Sequence, residues 1–62
     1  MKRIDLIHYL LNKNCTLARE GAKHSIFINI AKRKVSTVPR HNEIEKFLAR
    51  KICKDLDIEE IK

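Results

Sequence analysis

His24-Ser25-Ile26-Phe27-Ile28-Asn29-Ile30 is the stretch whose reading decides the fold. Side chains alternate with a period of two, and β-branched and aromatic residues dominate, as in a strand. Ile26, Ile28 and Ile30 fall on one face; Ser25, Phe27 and Asn29 fall on the other. Three isoleucines in register predict the face covered by helices, and His24 shares their parity at its sheltered end. Working outward, Gly21-Ala22-Lys23 predicts a tight turn in which Gly21 takes a positive φ. Residues 15–20 predict a short strand, with Leu17 on one face and Thr16 and Ala18 on the other. On the other side, residues 31–34 predict a basic turn and residues 35–38 a third strand. Pro39 closes that strand because it cannot donate to a ladder.

Helical periods flank these strands. Ile4, Ile7, Leu10 and Leu11, widened by Leu6, predict a helix over residues 3–13, and Asn12-Lys13-Asn14 offers a left-handed stop. Asn42 is expected to cap a second helix, with Glu45 completing a capping box. Ile44, Leu48, Ile52 and Leu56 form its apolar stripe with Ala49 beside it, and Lys46, Arg50 and Lys54 line its outward side. The acidic residues 57–62 are expected to fray. The order is α-β-β-β-α, so the fold class is α+β: a three-stranded antiparallel sheet with two helices on one face. Residues 1–62 read as a single domain. A chain of this size buries only about 60% of its unfolded surface, which leaves a thin core and no cofactor pocket.

The charge is uneven. Fourteen Lys and Arg face eight Asp and Glu, for a net charge of +6. Seven of the cations lie between Lys13 and Arg40 with Glu20 as the one anion, whereas Asp55 to Glu60 holds four anions and no cation. A basic middle on a small domain suits a polyanion, nucleic acid first and an acidic protein second. A soluble protein can also carry such a charge without that partner. Cys15 and Cys53 share no ligand spacing, and the carboxylates that cluster near the C-terminus have no histidine partner at ligand spacing, so no metal site is expected. No apolar run is long enough for a membrane span, and the N-terminus lacks a signal-peptide core, so the expected home is cytoplasmic.

Three features could carry chemistry. His24 follows the Gly21 turn with Lys23 beside it. An imidazole titrates near neutrality, so it can serve as base for a ribose 2′-hydroxyl or as acid for a leaving oxygen. A strand-start histidine can equally be structural. Pro39-Arg40-His41-Asn42 places a cation and an imidazole before a helix N-terminus, where phosphate is favoured. Lys32, Arg33 and Lys34 form a hairpin tip suited to phosphate contacts, or simply a solvated turn. Aromatic residues (Tyr9, Phe27, Phe47) are too few for the stacking platforms of multi-aromatic RNA-binding sheets. His8 reads as a partly buried helix residue. No nucleotide-binding, zinc-protease or serine-hydrolase motif occurs.

Two segments together resemble one family. Arg19-Glu20-Gly21-Ala22-Lys23-His24-Ser25-Ile26-Phe27 and Val38-Pro39-Arg40-His41-Asn42, followed by Arg50-Lys51-Ile52-Cys53-Lys54-Asp55-Leu56, are similar to the HicA family of bacterial toxins over nearly the whole chain. The resemblance implies a fold like a double-stranded RNA-binding domain. It also implies an mRNA-cleaving endoribonuclease toxin that needs no metal or cofactor and is neutralised by a HicB-type antitoxin. His24 matches the family's essential histidine, which makes it the expected catalytic residue, with Lys23, Lys32, Arg33, Lys34, Arg40 and His41 as RNA contacts. Ser25 stands where many relatives carry a second histidine, and Phe47-Leu48 where many carry Gly-Thr. A non-catalytic RNA-binding module of similar fold, and a basic surface that docks an acidic partner, remain as alternatives.

Overall fold

A computed structural model describes residues 1–61. The elements run α1 (Arg3–Asn12), β1 (Cys15–Glu20), β2 (His24–Asn29), β3 (Lys34–Pro39) and α2 (Lys46–Asp55). The sheet is an antiparallel meander in the order β1-β2-β3, so β2 is central and both other strands are edges. Helix α1 packs over β1 and α2 over β3. The molecule measures 28 × 28 × 16 Å, two layers thick.

The core joins Leu6 and Leu10 of α1, Phe27 and Val38 of the sheet, and Ala49, Ile52 and Cys53 of α2, with Ile44 and Leu56 flanking α2. Cys15 and Cys53 are free, buried thiols. Burial, the largest cause, pushes both thiols above their ordinary pKa.

The sheet is turned over relative to the sequence expectation. Ser25, Phe27 and Asn29 are buried under the helices, whereas Ile26 and Ile28 are half-buried on the open face and His24 and Ile30 are exposed. Phe27 is the large apolar residue at the centre of β2, and it takes the core. Its polar neighbours can follow it inside because both find partners there. Ser25 bonds Arg3 and Glu20, and Asn29 Nδ2 donates to the Leu56 carbonyl at 2.9 Å. The branched isoleucines suit the pleated open face. His24 therefore faces the open side rather than a helix-covered shelter.

A β-bulge in β1 refines this arrangement. Leu17 pairs with Phe27, but Arg19 pairs with Ile26 and Glu20 with Ser25, so Ala18 is the extra residue. Without the bulge Arg19 would lie opposite Ser25; with it a carboxylate does.

Four more local expectations are corrected. Gly21 has no positive φ. It is needed for close approach: its N–H donates to the His24 carbonyl at 2.8 Å, and a Cβ there would sit 3.0 Å from that oxygen. The positive φ values fall instead on Asn14, Arg33 and Asp57. Asn42 and Glu45 form no capping box, because α2 begins at Lys46 and Glu45 makes no side-chain cap bond. Residues 42–44 are drawn into an extended bridge with the N-terminus, where Arg3 N–H donates to the Asn42 carbonyl and Ile44 N–H to the Met1 carbonyl, both at 2.8 Å. His8 is exposed. The tail is ordered rather than frayed over residues 57–61. Asp57, with φ 56°, closes α2 in a Schellman motif through bonds from Asp57 N–H to Lys54 and Ile58 N–H to Cys53. Ile58 and Ile61 then pack on the core, and Tyr9 Oη donates to the Glu59 carbonyl at 2.7 Å. Lys62 lies outside the described residues.

Candidate functional site

The turn from β1 into β2 places His24 at the end of the sheet, opposite Pro39 of β3. Arg40 N–H donates to the Lys23 carbonyl at 3.3 Å, which holds the segment after β3 against the segment before β2. The result is an open recess of about 310 Å³ lined by Ala22, Lys23, His24, Arg40 and His41. Two imidazoles and two permanent cations, from segments sixteen residues apart, thus share one surface feature.

A hydrogen-bonded clamp braces this end of the molecule from the helix side. Arg3 Nη2 donates to Ser25 Oγ at 2.7 Å, and Arg3 Nε donates to the Pro39 carbonyl at 2.9 Å. Ser25 Oγ donates to a Glu20 carboxylate oxygen, which also takes Arg40 Nη2 at 2.9 Å. The Ser25 bond, then the Arg40 and Arg3 charges, hold the Glu20 carboxyl below the usual carboxylate range against some desolvation. One helix end and all three strand ends around His24 are therefore tied together. Arg40 keeps donors to spare, since a guanidinium carries five N–H groups and can serve a carboxylate and a phosphate at once.

The hairpin cations stand elsewhere. Asn29 pairs with Lys34 at the opposite end of the β2–β3 ladder from His24 and Pro39. Five residues of strand separate the two ends by about 17 Å. Lys32 is also engaged with Asp57, its Nζ lying 3.4 Å from the carboxylate and 3.2 Å from the carbonyl. Of the sequence-predicted site residues, the structure brings together Lys23, His24, Arg40 and His41. It leaves Lys32, Arg33 and Lys34 apart. Arg40 and His41 do not sit directly on a helix N-terminus, because residues 42–45 intervene before α2. The clamp residues Arg3, Glu20 and Ser25 are not readable as site residues from sequence, since the bulge at Ala18 decides which of them meet. Among the described residues no three of His, Cys, Asp and Glu gather in a metal-binding group.

The family model for the HicA toxin of bacterial toxin–antitoxin systems matches residues 4–58. The chain belongs to the HicA toxin family. That match spans α1 to the turn after α2 and contains every residue of the recess and of the clamp except Arg3. HicA membership makes this chain a toxin of a toxin–antitoxin pair, for which an antitoxin is the partner. No curated protein and no solved structure gives a significant match. No helix among the described residues is long and apolar enough to cross a membrane.

Proposed function

We propose that this HicA toxin is an endoribonuclease that cleaves mRNA at the recess of Lys23, His24, Arg40 and His41, and that a HicB-type antitoxin inhibits it by covering that recess. The observation that carries the reading is the meeting of two imidazoles with two cations at one accessible point. Cleavage through the ribose requires removal of the 2′-hydroxyl proton, attack of O2′ on phosphorus, rupture of the P–O5′ bond and protonation of O5′. One imidazole accepts the first proton and the other donates the second, each step contributing about 10²–10⁴-fold. His24 is the indispensable member of the pair. Lys23 and Arg40 hold the phosphate and offset the charge that builds on its oxygens. The hairpin cations Lys32, Arg33 and Lys34 add backbone contacts at the far end of the sheet.

The test is cleavage of a defined RNA in EDTA by the parent, His24→Ala and His41→Ala. His24→Ala is expected to abolish cleavage and growth arrest while the protein stays folded, and His41→Ala to flatten one limb of the pH–rate profile. Cleavage by His24→Ala at the parent rate would overturn the assignment. Binding of RNA by the parent without any product would favour the non-catalytic RNA-binding module.

A further inference from the structure

Phe47 stands outside everything described so far. It lies in the first turn of α2, is 78% exposed, and is the most exposed large hydrophobic residue among those described. The buried side of α2 is formed by Ala49, Ile52 and Cys53, so Phe47 has no part in the core. Arg50, Lys51 and Lys54 follow it on the same helical face at i+3, i+4 and i+7. Together with Glu60 these four residues line a shallow recess of about 370 Å³. Lys51 is paired with Asp55 at 3.0 Å, whereas among the described residues neither Arg50 nor Lys54 meets a carboxylate.

We infer that this face of α2 is a nucleotide subsite for single-stranded RNA, in which one base stacks on Phe47 and flanking phosphates lie against Arg50 and Lys54. The inference rests on the RNA-directed function proposed above and extends it to a second contact. A planar apolar ring with cations to one side matches the two halves of a nucleotide, base and phosphate. Among the described residues Phe47 is the only apolar one lining this recess, so the face offers a single ring-sized apolar contact, the size of one base. The segment 40–45 connects Arg40 and His41 to the first turn of α2, which bears Phe47. A single stacking ring on a helix is a different device from a multi-aromatic sheet platform.

The test measures binding of a 2′-O-methyl RNA of about twelve nucleotides, which cannot be cleaved through the ribose, as a function of salt. Phe47→Ala is expected to weaken binding about tenfold without changing the salt slope, because a stacked base carries no counterion. Arg50→Ala with Lys54→Ala is expected to lower the slope by about 1.4, two phosphates at about 0.7 each. A strand with abasic sites is expected to bind parent and Phe47→Ala alike. Circular dichroism confirms that each variant is folded. Equal affinity of parent and Phe47→Ala for the intact strand overturns the subsite. So does a Phe47→Ala variant that keeps its RNA affinity and loses the antitoxin, which assigns the face to protein. A parent that binds no RNA removes the proposed function itself, whereas a parent that binds without regard to Phe47 removes only this subsite.

Discussion

Ser25→Ala is the substitution that best probes how the fold holds the candidate site. Ser25 is 1% exposed, accepts from Arg3 at 2.7 Å and donates to Glu20. Hydrogen bonds to charged groups contribute about 1.5–3 kcal/mol each. Arg3 and Glu20 both reach solvent and are rehydrated when Ser25 is removed, so the two bonds together are expected to contribute no more than one such bond at the low end, about 1.5 kcal/mol. For a domain of this size each kcal/mol moves Tm by about 4–8 °C, so the melting temperature should fall by about 6–12 °C. The assay is thermal unfolding followed by circular dichroism across pH. Glu20 has a folded pKa below its ordinary value, chiefly through Ser25. Its contribution is therefore present above the usual carboxylate range and is lost as pH falls through the folded value. The gap between parent and variant should accordingly be widest near neutrality and narrow in acid to what the Arg3–Ser25 bond supplies. A Tm within about 2 °C of the parent at neutral pH, or a gap independent of pH, would refute the clamp.

Three further outcomes are expected. Phe27→Ala should cost about 3–5 kcal/mol, a third or more of the total stability of about 3–9 kcal/mol for this length, and lower the melting temperature followed by circular dichroism by at least about 12 °C. Lys32→Ala, Arg33→Ala and Lys34→Ala combined should lower the salt slope of RNA binding by up to about 2 while leaving the cleavage rate at saturation unchanged; the exposed Lys32–Asp57 pair accounts for at most about 1 kcal/mol of stability. Gly21→Ala brings a Cβ to 3.0 Å from the His24 carbonyl, and should cost about 1 kcal/mol by overpacking and slow cleavage more than it weakens RNA binding.

Element order was legible because it rests on local periodicity. The three strands and the apolar stripe of α2 can be marked from spacing alone, and Asn14 does end α1 with φ 66°. Which face of β2 turns inward was not legible. The isoleucine set and the Phe27 set are both plausible cores, and the choice depends on whether Ser25 and Asn29 find partners. Two of those partners, Arg3 and the Leu56 carbonyl, come from near the two ends of the chain, and the third, Glu20, meets Ser25 only through the bulge. The start of α2 failed for the same reason. Asn42 and Glu45 carry a local capping signal, but the bridge to Met1 and Arg3 uses the backbone first. The recess was largely legible, because Lys23-His24 and Arg40-His41 each announce themselves and the β2–β3 pairing joins them. Its brace was not, since one extra residue in β1 decides that Glu20 rather than Arg19 faces Ser25.

The central claim is acid–base cleavage through the ribose at the His24 recess, and the nature of the product ends tests it most directly. A single-stranded RNA and its 2′-O-methyl counterpart would be incubated with the parent and with His24→Ala. The account predicts 2′,3′-cyclic phosphate and 5′-hydroxyl ends from the parent on unmodified RNA, and no product from the blocked strand or from the variant. Cleavage of the blocked strand, or 3′-hydroxyl ends from the parent, would contradict it.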